Sequence, residues 1–396
     1  MNIIFLINSP FPYYTGGRET WLYNVAQRLC QDHSVYILTE TPWFYQDNGR
    51  FPDLDSRVRF LRAKDMRNNP VLRHVLRSYM NALNERIMLW SMWKQLSALL
   101  ESLEGESCFV ISMDTVYTGR LGIKAKQKYP HVRYISSVRC KHAIDRGERF
   151  PLLKNYYHSM ERKSLSAADR IWSNGWDTKE FLYKQGFSSI VMKNGIDVGR
   201  AKHPLPAPPE MFPAKGDFRI LTVGTLQDAK GCRELIQAVG ILKREYGLAA
   251  GVTFFGKGNP KRYRLLARQE GVEDQVCFAG IQPLTVEYAS SFDLAACLGF
   301  SAQGSGLSMA CLESLLSGTP VIAWDGPAYS QMIAHGENGW LVKEKDTAAL
   351  AEGIFWLSEH REEARDMGEK ACASVGKFDW SYIIKDIVES LEGIDR

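Results

Sequence analysis

A polar, glycine-rich turn followed by a short apolar helix constrains this chain more than any other stretch. Residues 300–324 read FSAQGSGLSMACLESLLSGTPVIAW. The pattern predicts a turn over Ser301–Gly306 and a helix over Leu307–Leu316, which Gly318 ends before a strand. Unpaired backbone N–H groups and the positive end of the helix dipole meet at such a helix start. The segment therefore predicts an α/β unit with a site for phosphates or sugar hydroxyls.

Glu313 is the charged exception among the apolar residues of this helix. A carboxylate at this position can accept two hydrogen bonds from the vicinal hydroxyls of a ribose. A solvated charge on the helix surface is the alternative interpretation of the same residue.

The size and composition of the chain are those of a soluble protein with two domains. Its 396 residues exceed a single ordinary core, and 45% hydrophobic with 24% charged residues are ordinary globular values. No apolar stretch approaches the roughly 18 residues of a membrane span, and residues 2–7 read as a first strand rather than a signal peptide. The eight cysteines form no C-x-x-C pair, which argues against a zinc site or disulfides and favours reduced cytosolic thiols.

The net charge of +4 is unevenly distributed along the chain. Residues 1–195 contain 28 Lys and Arg against 18 Asp and Glu, whereas residues 196–396 contain 21 against 27. The basic first half is the part that we expect to meet an anionic surface.

A basic, Trp-containing stretch in the first half predicts a long amphipathic helix over residues 71–103. Between Arg57 and Lys94, nine basic residues face only two acidic ones, and Trp90 and Trp93 lie among them. Cations and Trp rings on one helix are typical of binding to an anionic membrane. An ordinary core helix with solvated Arg residues is the alternative, and the absence of a recognition motif disfavours nucleic acid.

Two series of strands and helices, separated by a proline-rich stretch, predict a bilobal α/β protein with Rossmann-like halves. The first half opens with a strand, the pair Gly16 and Gly17, and a helix, but no G-x-G-x-x-G motif supports a redox dinucleotide site. The predicted strand over residues 132–138 ends at Arg139, with His142 close behind it. Because such strand ends bind ligands, Arg139 is a candidate for an acceptor phosphate, and His142 is either a site residue or a structural histidine.

The segment around Glu313 resembles the donor-site signature of family 4 of the retaining glycosyltransferases (glycosyl transferases group 1). The family pattern is Glu-x7-Glu followed by Ala-x-x-x-Gly-Thr-Pro-Val-Ile-Ala. Glu313 matches the second glutamate, and residues 318–323 match the end of the pattern residue for residue. Ser305 stands where the family has its first glutamate. Lys230 matches the lysine of the family's Gly-Arg-Leu-x-x-x-Lys-Gly motif, whereas Thr225 replaces its arginine.

The resemblance implies the α/β fold class GT-B, with two Rossmann-like domains whose parallel sheets face each other across a cleft. Residues 1–197 would bind the acceptor and residues 218–376 the nucleotide-sugar donor. Residues 198–217 would form a proline-rich linker, and a helix over residues 377–396 would cross back to the first domain.

The resemblance also assigns roles to individual residues. Lys230 would neutralise the donor diphosphate, Glu313 would fix the ribose, and His142 would contact the donor sugar; these three form the implied catalytic set. Gly16 and Gly17 would face the diphosphate, although a plain turn is the alternative. The implied donor-binding residues are Gly16, Gly17, Gly224, Thr225, Lys230, Gly256, Ile281, Ser305, Gly306, Leu307 and Glu313.

The implied activity is the retaining transfer of a hexose or N-acetylhexosamine from a UDP- or GDP-linked donor to a saccharide hydroxyl. The expected acceptor is lipid-linked and belongs to bacterial-type surface polysaccharide or lipopolysaccharide synthesis. The resemblance implies no cofactor and no metal, and a cytoplasmic protein that is peripheral on the inner face of the membrane. A weakly catalytic, nucleotide-sugar-binding partner subunit is the alternative, because Ser305 and Thr225 depart from the family pattern. A GT-B-like phosphorylase or epimerase is a further alternative, which the Gly-Thr-Pro-Val-Ile-Ala match disfavours.

Overall fold

Two α/β units, each built on one parallel sheet, make up the chain. The first unit comprises Met1–Asn194 and Ser381–Arg396, and the second comprises Gly195–Trp380. The computed structural model describes residues 1–9, 11, 17–40, 54–63, 81–139, 151–282, 285–300 and 307–395.

Among the described residues, the first sheet has seven parallel strands. These strands are β1 (Asn2–Leu6), β2 (Ser34–Glu40), β3 (Arg59–Ala63), β4 (Cys108–Ser112), β5 (Val132–Val138), β6 (Arg170–Ser173) and β7 (Ile190–Val191), in the order β3-β2-β1-β4-β5-β6-β7. Every residue of the central strands β1 and β4 is buried, as expected in a parallel sheet covered on both faces. The helices between the strands are α1 (Gly17–Leu29), α2 (Asn81–Ser102), α3 (Thr118–Lys128), α4 (Lys154–Ala167) and α5 (Trp176–Lys184).

The second sheet has six parallel strands within the described ranges. These strands are β8 (Phe218–Val223), β9 (Ala250–Phe255), β10 (Val276–Gly280), β11 (Leu294–Cys297), β12 (Val321–Asp325) and β13 (Trp340–Lys343), in the order β10-β9-β8-β11-β12-β13. Its helices are α6 (Cys232–Glu245), α7 (Lys261–Gln269), α8 (Thr285–Ala289), α9 (Met309–Leu316), α10 (Thr347–Glu359) and α11 (Arg361–Ser374). All described strand pairs in both sheets run parallel, which confirms the predicted Rossmann-like class.

The last helix, α12 (Trp380–Asp395), packs against strand β6 of the first unit. The side chain of Arg170 donates a hydrogen bond of 2.8 Å to the carbonyl oxygen of Ser390, and the indole of Trp172 donates one of 2.9 Å to the Ser390 hydroxyl. These bonds satisfy two polar groups that would otherwise be left without partners at the edge of the core.

Residues 198–217, predicted as a linker, belong to the second unit. They contain two short 3-10 helices, Val198–Lys202 and Pro209–Met211. The carbonyl oxygen of Met211 accepts a hydrogen bond of 2.7 Å from Thr253 on β9, and the Met211 side chain is buried with Phe255. The apolar residues of this proline-rich stretch thus pack into a hydrophobic core of the second unit.

Candidate functional site

The strand order of the second sheet reverses between β8 and β11. From β8 the chain continues through β9 and β10 on one side, and from β11 it continues through β12 and β13 on the other. Open α/β sheets bind their ligands outside the carboxyl ends of the strands at such a switch point. The turn after β8 begins at Gly224, and the segment after β11 contains Gly299.

The side chain of Lys230 lies at this switch point. Lys230 ends a 3-10 helix, and Gly231 follows it in a left-handed conformation (φ +70°) that starts α6. The Cγ atom of Lys230 lies 3.7 Å from the position of a Cβ atom added to Gly224, and its Nζ atom lies 3.8 Å from the position of one added to Gly299. Lys230 therefore reaches from the turn after β8 to the segment after β11.

The ammonium group of Lys230 has no hydrogen-bond or ion-pair partner among the described residues. Asp228, the nearest acid in sequence, pairs with Arg262 and accepts a hydrogen bond of 3.0 Å from the Tyr263 hydroxyl. Burial lowers the pKa of Lys230 below its ordinary value. A partly dehydrated cation without a partner is a strong attractor for an anionic ligand.

Three glycine turns meet at the carboxyl ends of β8, β9 and β10. The amide of Gly224 donates to the carbonyl oxygen of Phe255 at 2.9 Å, and the amide of Gly256 donates to that of Gly280 at 2.7 Å. A Cβ atom on Gly256 would overlap the carbonyl oxygen of Gly224. Ile281 follows these turns with 59% of its surface exposed. The structure thus brings together Gly224, Gly256 and Ile281, which the sequence comparison placed in one site.

Thr225 lies in the first of these turns and carries no charge. Of the nearby cations, Arg268 is paired with Glu273 at 2.7 Å, and the guanidinium of Arg264 lies 5.3 Å from the ring of Phe278. Lys230 is therefore a half-buried cation that the described residues offer at this edge of the sheet.

Helix α9 begins at Met309, two residues later than predicted. Ser308 has extended backbone angles, and its hydroxyl accepts a hydrogen bond of 3.3 Å from the amide of Cys311, which makes it the N-cap. The prediction that the helix starts at Leu307 is wrong for this reason. The side chain of Leu307 is buried in the core, so only its backbone can serve a ligand. Ser305 and Gly306 lie outside the described residues, and their donor-binding role stays a prediction.

Glu313 lies on α9 with its carboxylate held by an arginine. One oxygen of Glu313 lies 3.4 Å from the guanidinium of Arg200, which also donates two hydrogen bonds, of 3.1 and 2.9 Å, to Glu287. Burial opposes the charge of Arg200, but its bonds to Glu287 and the charge of Glu313 together raise its pKa. The arrangement fixes the Glu313 carboxylate and leaves part of it accessible, with 21% of the side chain exposed.

Sequence reasoning missed Arg200, Glu287 and Tyr329. The Tyr329 hydroxyl accepts a hydrogen bond of 2.9 Å from the amide of Gly299 and so fixes the segment after β11. Arg200 lies 113 residues from Glu313 and within the predicted linker, so no local pattern could have joined them.

In the first unit, Gly17 is the exposed first residue of α1, whereas Gly16 and His142 lie outside the described residues. Arg139 directly follows β5 and is buried, with its guanidinium carbon 3.5 Å from the centre of the Trp21 ring. The roles predicted for Gly16 and His142 stay predictions.

Within the described ranges, no group of three or more His, Cys, Asp or Glu side chains is arranged to hold a metal ion. The seven cysteines that the structure describes carry free thiols. In the same ranges, none of the helices has the length and apolar character needed to span a membrane.

Residues 208–373 match the sequence model of the family "Glycosyl transferases group 1". This match covers the turns after β8 and β9, Lys230, Glu287 and Glu313, which make up most of the site described above. The chain carries a glycosyl transferases group 1 domain. In this glycosyltransferase domain the family residues Lys230 and Glu313 lie on the segments that follow β8 and β11.

Curated relatives of the glycosyltransferase domain are similar over part of their length. The D-inositol 3-phosphate glycosyltransferase of Nocardia farcinica is 29% identical over 245 residues, which is 58% of this chain and 54% of the relative. The putative colanic acid biosynthesis glycosyltransferase WcaL of Escherichia coli is 28% identical over 176 residues, or 43% and 42% of the two chains. The chain thus spans about half the length of the curated relatives it matches.

Solved structures share the fold over nearly the whole chain. The sucrose-phosphate synthase of Thermosynechococcus elongatus superposes with a TM-score of 0.76 at 16% identity, covering 100% of this chain and 99% of the other. Anabaena Alr3699/HepE in complex with UDP-glucose superposes with a TM-score of 0.71 at 16% identity, covering 99% and 100%. The fold is therefore GT-B, as predicted.

Proposed function

We propose that the protein is a retaining glycosyltransferase that moves a hexose or N-acetylhexosamine from a nucleotide sugar to a hydroxyl of a saccharide acceptor. The observation that carries the proposal is the half-buried ammonium of Lys230 at the switch point of the second sheet, which has no partner among the described residues. A diphosphate is the leaving group of a nucleotide sugar, and a fixed cation in a dehydrated site stabilises the negative charge that develops on it.

Two features of the same unit complete this role. The turns at Gly224 and Gly256 pack backbone against backbone, since a Cβ atom on Gly256 would overlap the carbonyl oxygen of Gly224, and they leave the edge of the sheet free of side chains at these two positions. The carboxylate of Glu313 accepts hydrogen bonds from the ribose hydroxyls and orients the donor, while Arg200 fixes the carboxylate. Lys230 then meets the diphosphate, and neither contact requires a metal ion or a protein nucleophile.

The donor is UDP-linked in our proposal, with GDP as the second choice. The Alr3699/HepE structure, which shares the fold, was solved with UDP-glucose, and this supports a uridine nucleotide. The acceptor is a saccharide of a surface polysaccharide or lipopolysaccharide, which the name of the colanic acid relative supports.

The acceptor is lipid-linked and the protein works at the inner face of the cytoplasmic membrane. Support comes from α2, where Trp90 has 58% of its surface exposed and the Lys94 ammonium lies 4.0 Å from its ring centre. Trp93 packs against the core of the first unit, and Met92 is buried in it, so Trp90 is the aromatic residue of this helix that can reach a lipid interface.

A panel of UDP-, GDP-, ADP- and dTDP-linked sugars tests the proposal by thermal shift and by hydrolysis. A donor at 100 times its Kd adds about 2.7 kcal/mol of stability. We expect one UDP-sugar to stabilise the wild type but not Glu313→Ala. The control variant is Glu270→Ala, because Glu270 is an acid of the same unit that pairs with Arg244, and it should respond like the wild type.

Turnover separates the proposal from the partner-subunit alternative. We expect the purified chain to release UDP slowly in the absence of acceptor, with the sugar anomer retained in the transfer product. Stabilisation by UDP-sugars without any turnover, in the presence of a lipid-linked acceptor pool, would instead support a binding subunit.

A further inference from the structure

The guanidinium of Arg139 is a buried cation with incomplete hydrogen bonding. Only 9% of the residue is exposed. Its Nε donates to the Ser137 hydroxyl at 3.4 Å and its Nη1 to the Asn194 side-chain oxygen at 3.3 Å, both long for hydrogen bonds. Its Nη2 is buried and has no hydrogen-bond partner in the part of the chain that the structure describes. The side chain is thus held in place, but the N–H donors of its guanidinium are incompletely hydrogen-bonded.

No described carboxylate balances this charge. Of the buried acids of the first unit, Glu19 accepts from Ser9 at 2.8 Å and pairs with Arg18 at 3.0 Å. Glu161 accepts from a threonine hydroxyl, and Asp114 accepts from the backbone amides at the start of α3. Burial alone lowers the pKa of Arg139 well below its ordinary value. A buried charge without a counter-charge destabilises a fold, so its presence calls for a ligand of opposite charge.

The surroundings of Arg139 suit a phosphate. The ring of Trp21 supports one side of the guanidinium at 3.5 Å from the ring centre, which restricts its rotation. A planar guanidinium held in this way presents its N–H groups in the geometry that binds phosphate oxygens in pairs. Arg139 also follows the carboxyl end of β5, where parallel sheets bind ligands.

We propose that Arg139 binds a phosphate group of the acceptor. This inference rests on the proposed function, because it gives the saccharide acceptor its chemical class: a sugar phosphate, either soluble or linked to lipid through a diphosphate. Arg139 belongs to the first unit, whereas Lys230 and Glu313 belong to the second.

Thermal shift measurements on the full chain test the proposal. The ligands are inorganic phosphate and pyrophosphate, and sodium chloride of equal ionic strength is the reference. We compare the wild type, Arg139→Met, and Arg120→Gln, a matched control at an exposed arginine of the same unit. We expect both anions to raise the melting temperature of the wild type and of the control. In the background of Lys230→Met, which removes the diphosphate site assigned to the donor, we expect Arg139→Met to lower the affinity for pyrophosphate by about tenfold or more, since charge-assisted hydrogen bonds are lost.

The melting temperature of the ligand-free variant tests whether the arginine serves the fold instead. We expect Arg139→Met to be at least as stable as the wild type, because the change removes an unbalanced buried charge and keeps apolar volume. A drop of several degrees together with an unchanged response to pyrophosphate would overturn the proposal in favour of a structural arginine.

Binding of UDP separates this inference from the proposed function. We expect UDP to stabilise the wild type and Arg139→Met equally. Loss of both UDP and phosphate binding in Arg139→Met would assign the arginine to the donor and overturn the proposal. If UDP stabilises neither protein while phosphate still discriminates between them, the proposed function fails and the phosphate site stands.

Two acceptor arms identify the source of the phosphate. One uses a hexose 1-phosphate and the other a hexose linked to a polyprenyl diphosphate in detergent micelles. An Arg139-dependent response to either compound supports the proposal and names the acceptor type, whereas Arg139-independent responses to both contradict it.

Discussion

Arg200 and Glu313 are joined by an ion pair of 3.4 Å, although 113 residues separate them in the chain. Arg200 is itself held by two hydrogen bonds to Glu287, at 3.1 and 2.9 Å. A planar guanidinium that is fixed on one side by one carboxylate presents its remaining N–H groups in a fixed direction, and so can orient a second carboxylate. We infer that Arg200 and Glu287 are positioning residues for Glu313, which would otherwise sample several rotamers at a partly exposed helix position.

Replacing Glu287 by Gln tests this relationship. The change removes the charge that holds Arg200, which then turns more fully to Glu313 and competes with the ribose for its oxygens. We expect UDP affinity to fall by about tenfold, the scale of a lost hydrogen bond to a charged group. Isothermal titration with UDP gives the affinity, and donor hydrolysis gives KM and kcat. Of these two constants, we expect KM to increase.

Glu270→Gln is the control for this variant, because Glu270 also pairs with an arginine at 2.9 Å, between α6 and α7. It should leave UDP affinity unchanged. Equal effects of the two substitutions, or an effect of Glu287→Gln on stability alone, would argue against a positioning role.

The lowered pKa of Lys230 predicts how stability and binding depend on pH. Between its folded-state pKa and the ordinary value of 10.5, the unfolded chain binds more protons at this position than the folded chain. The free energy of unfolding should therefore rise with pH in that window, and Lys230→Met should abolish this rise. Urea denaturation at a series of pH values measures the difference between the two proteins.

Binding of UDP should show the opposite trend at Lys230. A diphosphate favours the charged ammonium, so UDP affinity of the wild type should decrease as pH rises through the folded-state pKa. Lys230→Met should bind UDP weakly at every pH, whereas Lys257→Met, at an exposed lysine of the next turn, should keep the wild-type profile. A wild-type pH profile in Lys230→Met would contradict the role assigned to this lysine.

The contact between Gly256 and Gly224 predicts a large loss of stability for Gly256→Ala. The added methyl group would overlap the carbonyl oxygen of Gly224, and both residues belong to rigid turns that are hydrogen-bonded to neighbouring strands. We expect a loss of at least about 2 kcal/mol in the free energy of unfolding.

Gly247→Ala provides the comparison for this variant. Gly247 also has a positive φ, +67°, but no atom lies within 4 Å of the added carbon. We expect Gly247→Ala to lower the free energy of unfolding by about 1 kcal/mol, which is the strain of a left-handed backbone alone. Similar losses for the two variants in chemical denaturation would mean that the turn at Gly256 relaxes easily.

The exposed pair Trp90 and Lys94 predicts binding to anionic vesicles. Lys94→Ala should weaken binding to vesicles containing phosphatidylglycerol by about fivefold, from about 1 kcal/mol per cation near such a surface. Trp90→Ala should weaken it as well, and vesicles of pure phosphatidylcholine should bind poorly. Vesicle co-sedimentation measures these differences.

Trp176→Ala is the matched control, since Trp176 is 49% exposed and has the Lys179 ammonium 4.7 Å from its ring centre on another helix of the same unit. It should bind vesicles like the wild type. If both tryptophans matter equally, or neither does, α2 is not the membrane-facing element.

The sequence was sufficient for the alternation of strands and helices in two series and for the family match at Lys230 and Glu313. The resemblance pointed to Gly256, where a Cβ atom would overlap the carbonyl oxygen of Gly224, and the apolar run of β1 could be recognised because a parallel sheet buries both faces. The start of α9 was predicted two residues too early, because the extended backbone of Ser308 and its hydrogen bond to Cys311 decide the cap.

What the sequence by itself determined is therefore the local part of this protein: alternating strands and helices, glycine turns, and the family residues Lys230 and Glu313. Only the tertiary structure decided which charges are paired. Among the described residues it left the half-buried Lys230 and the buried Arg139 without counter-charges, and it joined Arg200 to Glu313. The physical reason is that periodicity and turn chemistry act over a few residues, whereas burial and ion pairing depend on segments that meet from distant parts of the chain.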